Sequence, residues 1–323
     1  MLSYLKSLQP SSIILFLCIF FIVKMPLLLV NTTEIVPIPN FWGSIGAFGQ
    51  GSFILNSLPL QICLLAQAIW FNNLFHKADF HEGSSMIPAL YFTLVTSLLP
   101  QFNVLSIYTI ITFILLLLFQ TYLTISTQEN SRVECFNVGM LGGVLCLLSV
   151  HFIAFIPFLF LILLSIKSFR FNEYILLLFG LLFSVYIALS ISYLFDMFLN
   201  ISAVNFGIFD IQQLNDSLLD VIVLIVSAAY LFFSFISMRG ILYSTGVKRK
   251  KNIRILIFLF IGMLLVITLS PSLDNSILSL LFIPISIFLS LLMLRIRKKR
   301  LGEILNGIFV GIIFVVNIIR CFH

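Results

Sequence analysis

Three ionisable residues have the strongest claim to chemistry. Lys24 lies inside the apolar run 11–30, which carries no other charge; Glu34 follows just past the end of that run; His151 falls between two apolar segments. A charge in hydrocarbon is costly unless it is paired or reaches water, so Lys24 needs a partner or a cavity. An ammonium, a carboxylate and an imidazole at one membrane face would suit an outward-facing site. Lys24 and His151 would hold an anionic headgroup or phosphate there, and Glu34 would act as the catalytic base. The same residues also allow a structural reading, in which Lys24 snorkels or pairs with Glu34 and His151 caps a turn.

A second group of potential ligands is the polar stretch 76–82, with His76, Asp79, His81 and Glu82. Two histidines and two carboxylates could hold zinc or iron. The next residues, Gly83, Ser84 and Ser85 before Met86 and Pro88, read instead as a serine-capped helix start with an early proline. A solvated interhelical loop accounts for the polarity, so no metal site and no cofactor is expected. The cysteines show no CxxC spacing, and no Ser/His/Asp or Cys/His arrangement can be assembled. The glycines at 43, 46, 49 and 51 lack the helix and cytosolic nucleotide that a phosphate loop needs, and read as a flexible or re-entrant connection.

The elements that must position these residues follow from composition. Of 323 residues, 61% are apolar and 9% charged, and the mean hydropathy is +1.17. An ordinary soluble domain carries about 25% charged residues, so only a bilayer solvates this chain. At about 20 residues per spanning helix, the length predicts an all-α polytopic bundle of about ten or eleven spans. A single transmembrane domain would occupy 1–323, with no separate soluble domain. The apolar periodicity and breakers place spans near 11–30, 53–75, 85–99, 104–125, 137–150, 152–166, 174–197, 218–238, 253–270, 276–294 and 303–319. Two short crossings, turning near His151 and Phe152, replace one long helix over 138–166. The cluster Pro100, Gln101 and Asn103 divides 85–125.

Charge placement orients the bundle. The net charge is +6, with basic runs at 248–251 and 295–300 abutting apolar stretches. That is the positive-inside pattern of cytoplasmic loops, and it argues against nucleic acid as a partner. With a cytoplasmic N-terminus, every basic residue but Lys24 and Arg320 falls on one side. Asn31, Asn200 and Asn215 begin sequons on the other, and in a bacterial chain these have no consequence.

Several small and polar residues have packing explanations. Gly139 with Gly143, and Gly307 with Gly311, are GxxxG pairs that let helices approach. Asn56 with Gln67, and Gln61 with Asn72, share helix faces, and interhelical hydrogen bonding is their commoner use. The stripe Tyr186, Ser190, Tyr193 and Met197 is read in the same way.

The stretches 86–100 (MIPALYFTLVTSLLP), 130–139 (NSRVECFNVG) and 168–173 (SFRFNE) resemble the recurring blocks of an uncharacterised family of polytopic inner-membrane proteins in the Bacteroidota. The likeness extends loosely over the full length. It departs where relatives often carry a proline after Gly180, since Ser184 and Val185 stand there. The resemblance implies the inner membrane of a Gram-negative cell and no particular activity. Two functional classes follow. One is a membrane-embedded subunit or transporter-like protein in envelope biogenesis, whose partners are the bilayer and other membrane subunits. The other is a glycosyltransferase-like or flippase-like protein acting on lipid-linked sugars at the outer leaflet, with Glu34 at its centre.

Overall fold

The computed structural model describes residues 5, 9–26, 38–40, 43–45, 53–81, 83–99, 102, 106–194, 225–232, 234, 246–270, 275–296 and 299–322. Glu34, the three sequons, the glycines beyond Ile45 and Met197 lie outside these residues. The described chain is helical apart from one short hairpin. Strands β1 (Ile38–Asn40) and β2 (Gly43–Ile45) pair antiparallel, with Ile38 opposite Ile45. Gly43 thus belongs to a hairpin strand, not to a loose connection.

Helix α1 (Pro10–Lys24) begins on a proline, whose fixed φ suits a first turn. It is followed by α2 (Phe53–Lys77), the short α3 (Ile87–Val95) and α4 (Ile107–Thr127). Next come α5 (Arg132–Leu148), a 3-10 turn (Val150–Phe155), α6 (Ile156–Ile166) and α7 (Phe171–Leu194). Residues 225–232 are helical, in the expected span 218–238. The remaining helices are α8 (Val247–Thr268), α9 (Phe282–Arg295, preceded by 3-10 residues Asn275–Leu281) and α10 (Lys299–Phe322).

The stretch 132–166 is two helices, as the break near His151 requires. Ser149 is extended (φ −148°, ψ 122°) and ends α5. The chain then reverses, because Lys167, just past α6, reaches back to the start of α5. Its Nζ donates to Ser131 Oγ at 2.7 Å and to the Glu129 carbonyl at 3.1 Å. Arg170 donates to the same carbonyl at 3.0 Å. Helix α4 joins this hairpin through Tyr122, whose hydroxyl donates to the Leu159 carbonyl at 2.9 Å.

Helices α5 and α7 meet at backbone contact. A Cβ on Gly139 would collide with the Leu177 carbonyl, and one on Gly180 with the Phe136 carbonyl. One on Gly143 would lie 2.6 Å from Ser184 Cβ, and the Ser184 hydroxyl donates to the Met140 carbonyl at 2.8 Å. Helix α7 therefore runs unbroken through Ser184 and Val185. A serine there ties two helices where a proline would kink one. The second glycine pair behaves differently. A Cβ on Gly307 or Gly311 would meet nothing within 4 Å among the described residues. The Tyr186 stripe also faces outward. Tyr193 is 85% exposed, and Ser190 bonds back to the Tyr186 carbonyl of its own helix.

The polar stretch after α2 docks on α8. Asp79, at φ +53°, pairs with Lys248 at 2.5 Å, and its carbonyl accepts from Arg249. Buried Asn252 donates to the Ala78 carbonyl at 2.8 Å and accepts from Ser126 at 2.9 Å. His76 Nε2 lies 2.8 Å from the Ser85 carbonyl. Both His76 and Asp79 are thus engaged in closing the loop onto the helix bundle.

Candidate functional site

The most unusual polar arrangement surrounds α3. This helix is too short to cross a membrane, since nine residues span about 14 Å at 1.5 Å per residue. All nine are buried. Pro88 sets its first turn, and its end is written in hydroxyls. Thr93 bonds back to the Leu90 carbonyl, while Thr96 and Ser97 both bond back to the Thr93 carbonyl. Such back-bonding competes with helix propagation. Helices α1, α2 and α9 pack around it. Helix α10 adds Asn306, which accepts from the Tyr91 hydroxyl at 2.7 Å.

A helix end leaves its last carbonyls without intrahelical donors, and burial makes that costly. Here the carbonyls of Phe92, Leu94 and Val95 accept from the backbone N–H groups of Thr96, Ser97 and Leu98, and three side chains from two other helices supply donors to the carbonyls of those three residues just past the helix. Lys24 Nζ donates to the Thr96 carbonyl at 2.8 Å. Asn317 donates to the Ser97 carbonyl at 3.1 Å, and Arg320 to the Leu98 carbonyl at 2.9 Å. Arg320 also donates to Asn317 Oδ1 at 3.0 Å, fixing the amide. Two cations thus face the negative end of a half-helix, the favourable polarity for its dipole.

Two of the three sequence candidates lie among the described residues. Lys24 is 1% exposed and turned toward a backbone carbonyl. His151 is 2% exposed, with Nδ1 3.4 Å from Ser149 Oγ, in a turn packed on α5 and α8. Glu34 lies outside the described residues. Arg320, set aside in the sequence as an exception to the charge rule, proves to be part of the arrangement. Its signal was that very exception: a basic residue on the wrong side.

Behind α3 lies a small polar cavity of about 10 Å³, at the lower limit for one water. Gln67, Ser106, Thr109, Thr112 and Ser279 line it, with Phe282 as one wall. Phe282 stacks edge-on against Phe92 of α3 and against Phe102. Gln67 donates to the Thr109 carbonyl at 2.9 Å, and Asn72 reaches Met86 Sδ at 3.4 Å. Gln67 thus bonds between helices, Asn72 bonds to the residue just before α3, and the side chain of Asn56 lies outside the described residues. The oxygens of Gln67 and Asn72, and both polar atoms of buried Gln61, lack a partner among the described residues.

The class follows from fold and site together. This is a helical protein with, among the described residues, five helices long and apolar enough to cross a membrane: Ile107–Thr127, Phe171–Leu194, Val247–Thr268, Ile277–Arg295 and Gly302–Arg320. At its centre is a buried half-helix. The chain belongs to DUF6427, a family of unknown function, whose model matches residues 43–322. No curated protein and no solved structure matches it.

Proposed function

We propose that the protein is a multi-pass protein of the bacterial inner membrane, with a cytoplasmic N-terminus and about ten or eleven spans. It serves envelope biogenesis as a transporter-like protein or membrane-embedded subunit built around α3. The observation that carries this reading is the half-helix itself, ended inside the bundle and capped by Lys24, Asn317 and Arg320. Discontinuous helices are tolerated at membrane depth where they are buried in protein or line a cavity, and transporters place their sites at such ends. Gln67, one of the partly unsatisfied amides of α2, lines the small polar cavity. The alternative is action on lipid-linked sugars at the outer leaflet, with Glu34 as base and Lys24, one of whose N–H groups is given to the Thr96 carbonyl, beside the substrate.

Single cysteines at Thr93 and Ser97, in a background stripped of native cysteines, test the proposal. A small hydrophilic thiol reagent is applied to intact cells and to inverted vesicles, with Ser168→Cys as a cytoplasmic loop control. A transporter-like core gives reaction at position 97 from at least one side. Silence at both positions, with the loop control labelled only in inverted vesicles, would leave the subunit role alone. A loop control labelled in intact cells would overturn the orientation.

A further inference from the structure

The span that carries α9 changes its helix type partway along. Of the apolar stretch Ile277–Arg295, long enough to cross a membrane, the part up to Leu281 is 3-10 and the part from Phe282 is α-helical. The 3-10 run Asn275–Leu281 is seven residues long. Runs beyond about four residues are uncommon, because 3-10 hydrogen bonds are poorly aligned, and within a helix such a run marks a hinge or strain. Its cause is local. Pro284 has no N–H for the Leu280 carbonyl four residues back, and its ring crowds that carbonyl, so the α-helix cannot continue unkinked past Phe282 toward the N-terminus.

The boundary falls at the wall of the polar cavity behind α3. Phe282, the first α-helical residue, and Ser279, on the 3-10 side, both line it. Phe282 is 4% exposed, with its ring centroid 4.7 Å from that of Phe102 and 6.2 Å from that of Phe92 in α3. The Ser279 hydroxyl and Gln67 Oε1 have no hydrogen-bond partner among the described residues, so the packed arrangement leaves polar groups that water would satisfy. An α-helix turns and rises less per residue than a 3-10 helix, by about 20° and 0.5 Å. Over the three steps from Ser279 to Phe282, conversion to α-helix would rotate one residue about 60° relative to the other and draw them about 1.5 Å closer along the axis. A wall built from both residues cannot stay closed through that shear.

We infer that residues 275–282 form a hinge, whose 3-10 state holds Phe282 as a closed gate between α3 and the polar cavity and whose α-helical state opens that cavity to water. Proline-kinked helices are tolerated in spans, so both states are open to the chain. The inference rests on α3 as the core of a transporter-like protein, and the two fail separately: reaction at position 97 tests that core, and reaction at position 279 tests the hinge.

The test uses the full chain in membranes, stripped of native cysteines, with a single cysteine at Ser279 or at Thr112, another residue of the cavity wall. A small hydrophilic thiol reagent is applied from both sides, and its rate of reaction is measured. With Phe282 and Pro284 in place, both positions should react slowly. Phe282→Ala removes two aromatic pairs and should speed both reactions about tenfold. Pro284→Ala supplies the missing N–H, favours the α form, and should speed both with Phe282 intact. Phe119→Ala truncates a fully buried ring outside the cavity wall and should change neither. Phe282→Leu replaces the alanine variant if that fails to fold. Unchanged rates in the Phe282 variant or in Pro284→Ala overturn the inference, and so does an equal rise in Phe119→Ala.

Discussion

Adding one methyl group at the α5–α7 contact is expected to destabilise the protein more than most surface changes. A Cβ on Gly180 would fall against the Phe136 carbonyl, with Met140 N at 2.8 Å and Gly139 Cα at 3.0 Å; one on Gly139 would fall against the Leu177 carbonyl, with Gly180 Cα at 3.1 Å. These are backbone atoms that cannot rotate away. Ordinary carbon contacts lie at about 3.5–4.0 Å, so the helices must part by about 1 Å. Overpacking of this kind costs about 1–3 kcal/mol. Parting also stretches the 2.8 Å bond from Ser184 to the Met140 carbonyl toward its limit, for about 1 kcal/mol more. The helix propensity gained by alanine returns about 1 kcal/mol. Gly139→Ala and Gly180→Ala should therefore each cost about 1–3 kcal/mol. Gly307→Ala is the matched control: its Cβ meets nothing within 4 Å among the described residues, and the propensity gain leaves it neutral or up to about 1 kcal/mol more stable. Reversible denaturation of the detergent-solubilised protein, followed by helical circular dichroism, reads all three. The reasoning fails if the first two match wild type within about 0.5 kcal/mol, the ordinary surface range, or if the control is as damaging as they are.

Other expectations concern the loops and the half-helix. Asp79→Gly should be nearly neutral, because glycine accepts the positive φ and the lost pair to Lys248 is solvent-exposed; Asp79→Val should cost about 1–2 kcal/mol in the same assay. Asn252→Ala removes a buried bridge between the Ala78 carbonyl and Ser126, and should lower stability by about 2 kcal/mol. Arg320→Met withdraws a donor from the Leu98 carbonyl and from Asn317, and should loosen the end of α3, seen as faster amide exchange at 96–99 with little change in α5–α7. Glu34→Gln, made at wild-type levels, should retain envelope function; its loss would revive the enzymatic reading.

What could be read from the sequence was mostly what each residue does alone. The break near Ser149 was legible in the charges, since a single helix over 138–166 would invert every later basic loop, and the division of 85–125 in Pro100, Gln101 and Asn103; the end of the helix at Val95, short of the expected 99, was not. The depth of Lys24 was legible because cost depends on position in the bilayer. Its partner was not, since the Thr96 carbonyl stands 72 positions away and any backbone carbonyl has the same sequence signature. The glycine pairs show the same divide. Gly139 and Gly307 begin identical motifs, yet among the described residues a helix backbone lies against the first and nothing lies within 4 Å of a Cβ on the second, because spacing reports a face and not its occupant. Gly180 escaped notice as a lone glycine, although Ser184 four residues on completes a small-residue face.

The capping of α3 also sets an order of assembly. A nine-residue apolar segment is too short to be released sideways into lipid as an independent span. It must wait, protected by its neighbours, for donors that the ribosome has not yet made. Arg320 follows Leu98 by 222 positions, roughly ten to forty seconds of synthesis. During that interval the nascent chain holds a frayed segment whose last carbonyls lack two of their three caps, with Lys24 the one donor already in place. Chains released before residue 317 would keep the carbonyls of Ser97 and Leu98 without these two side-chain donors.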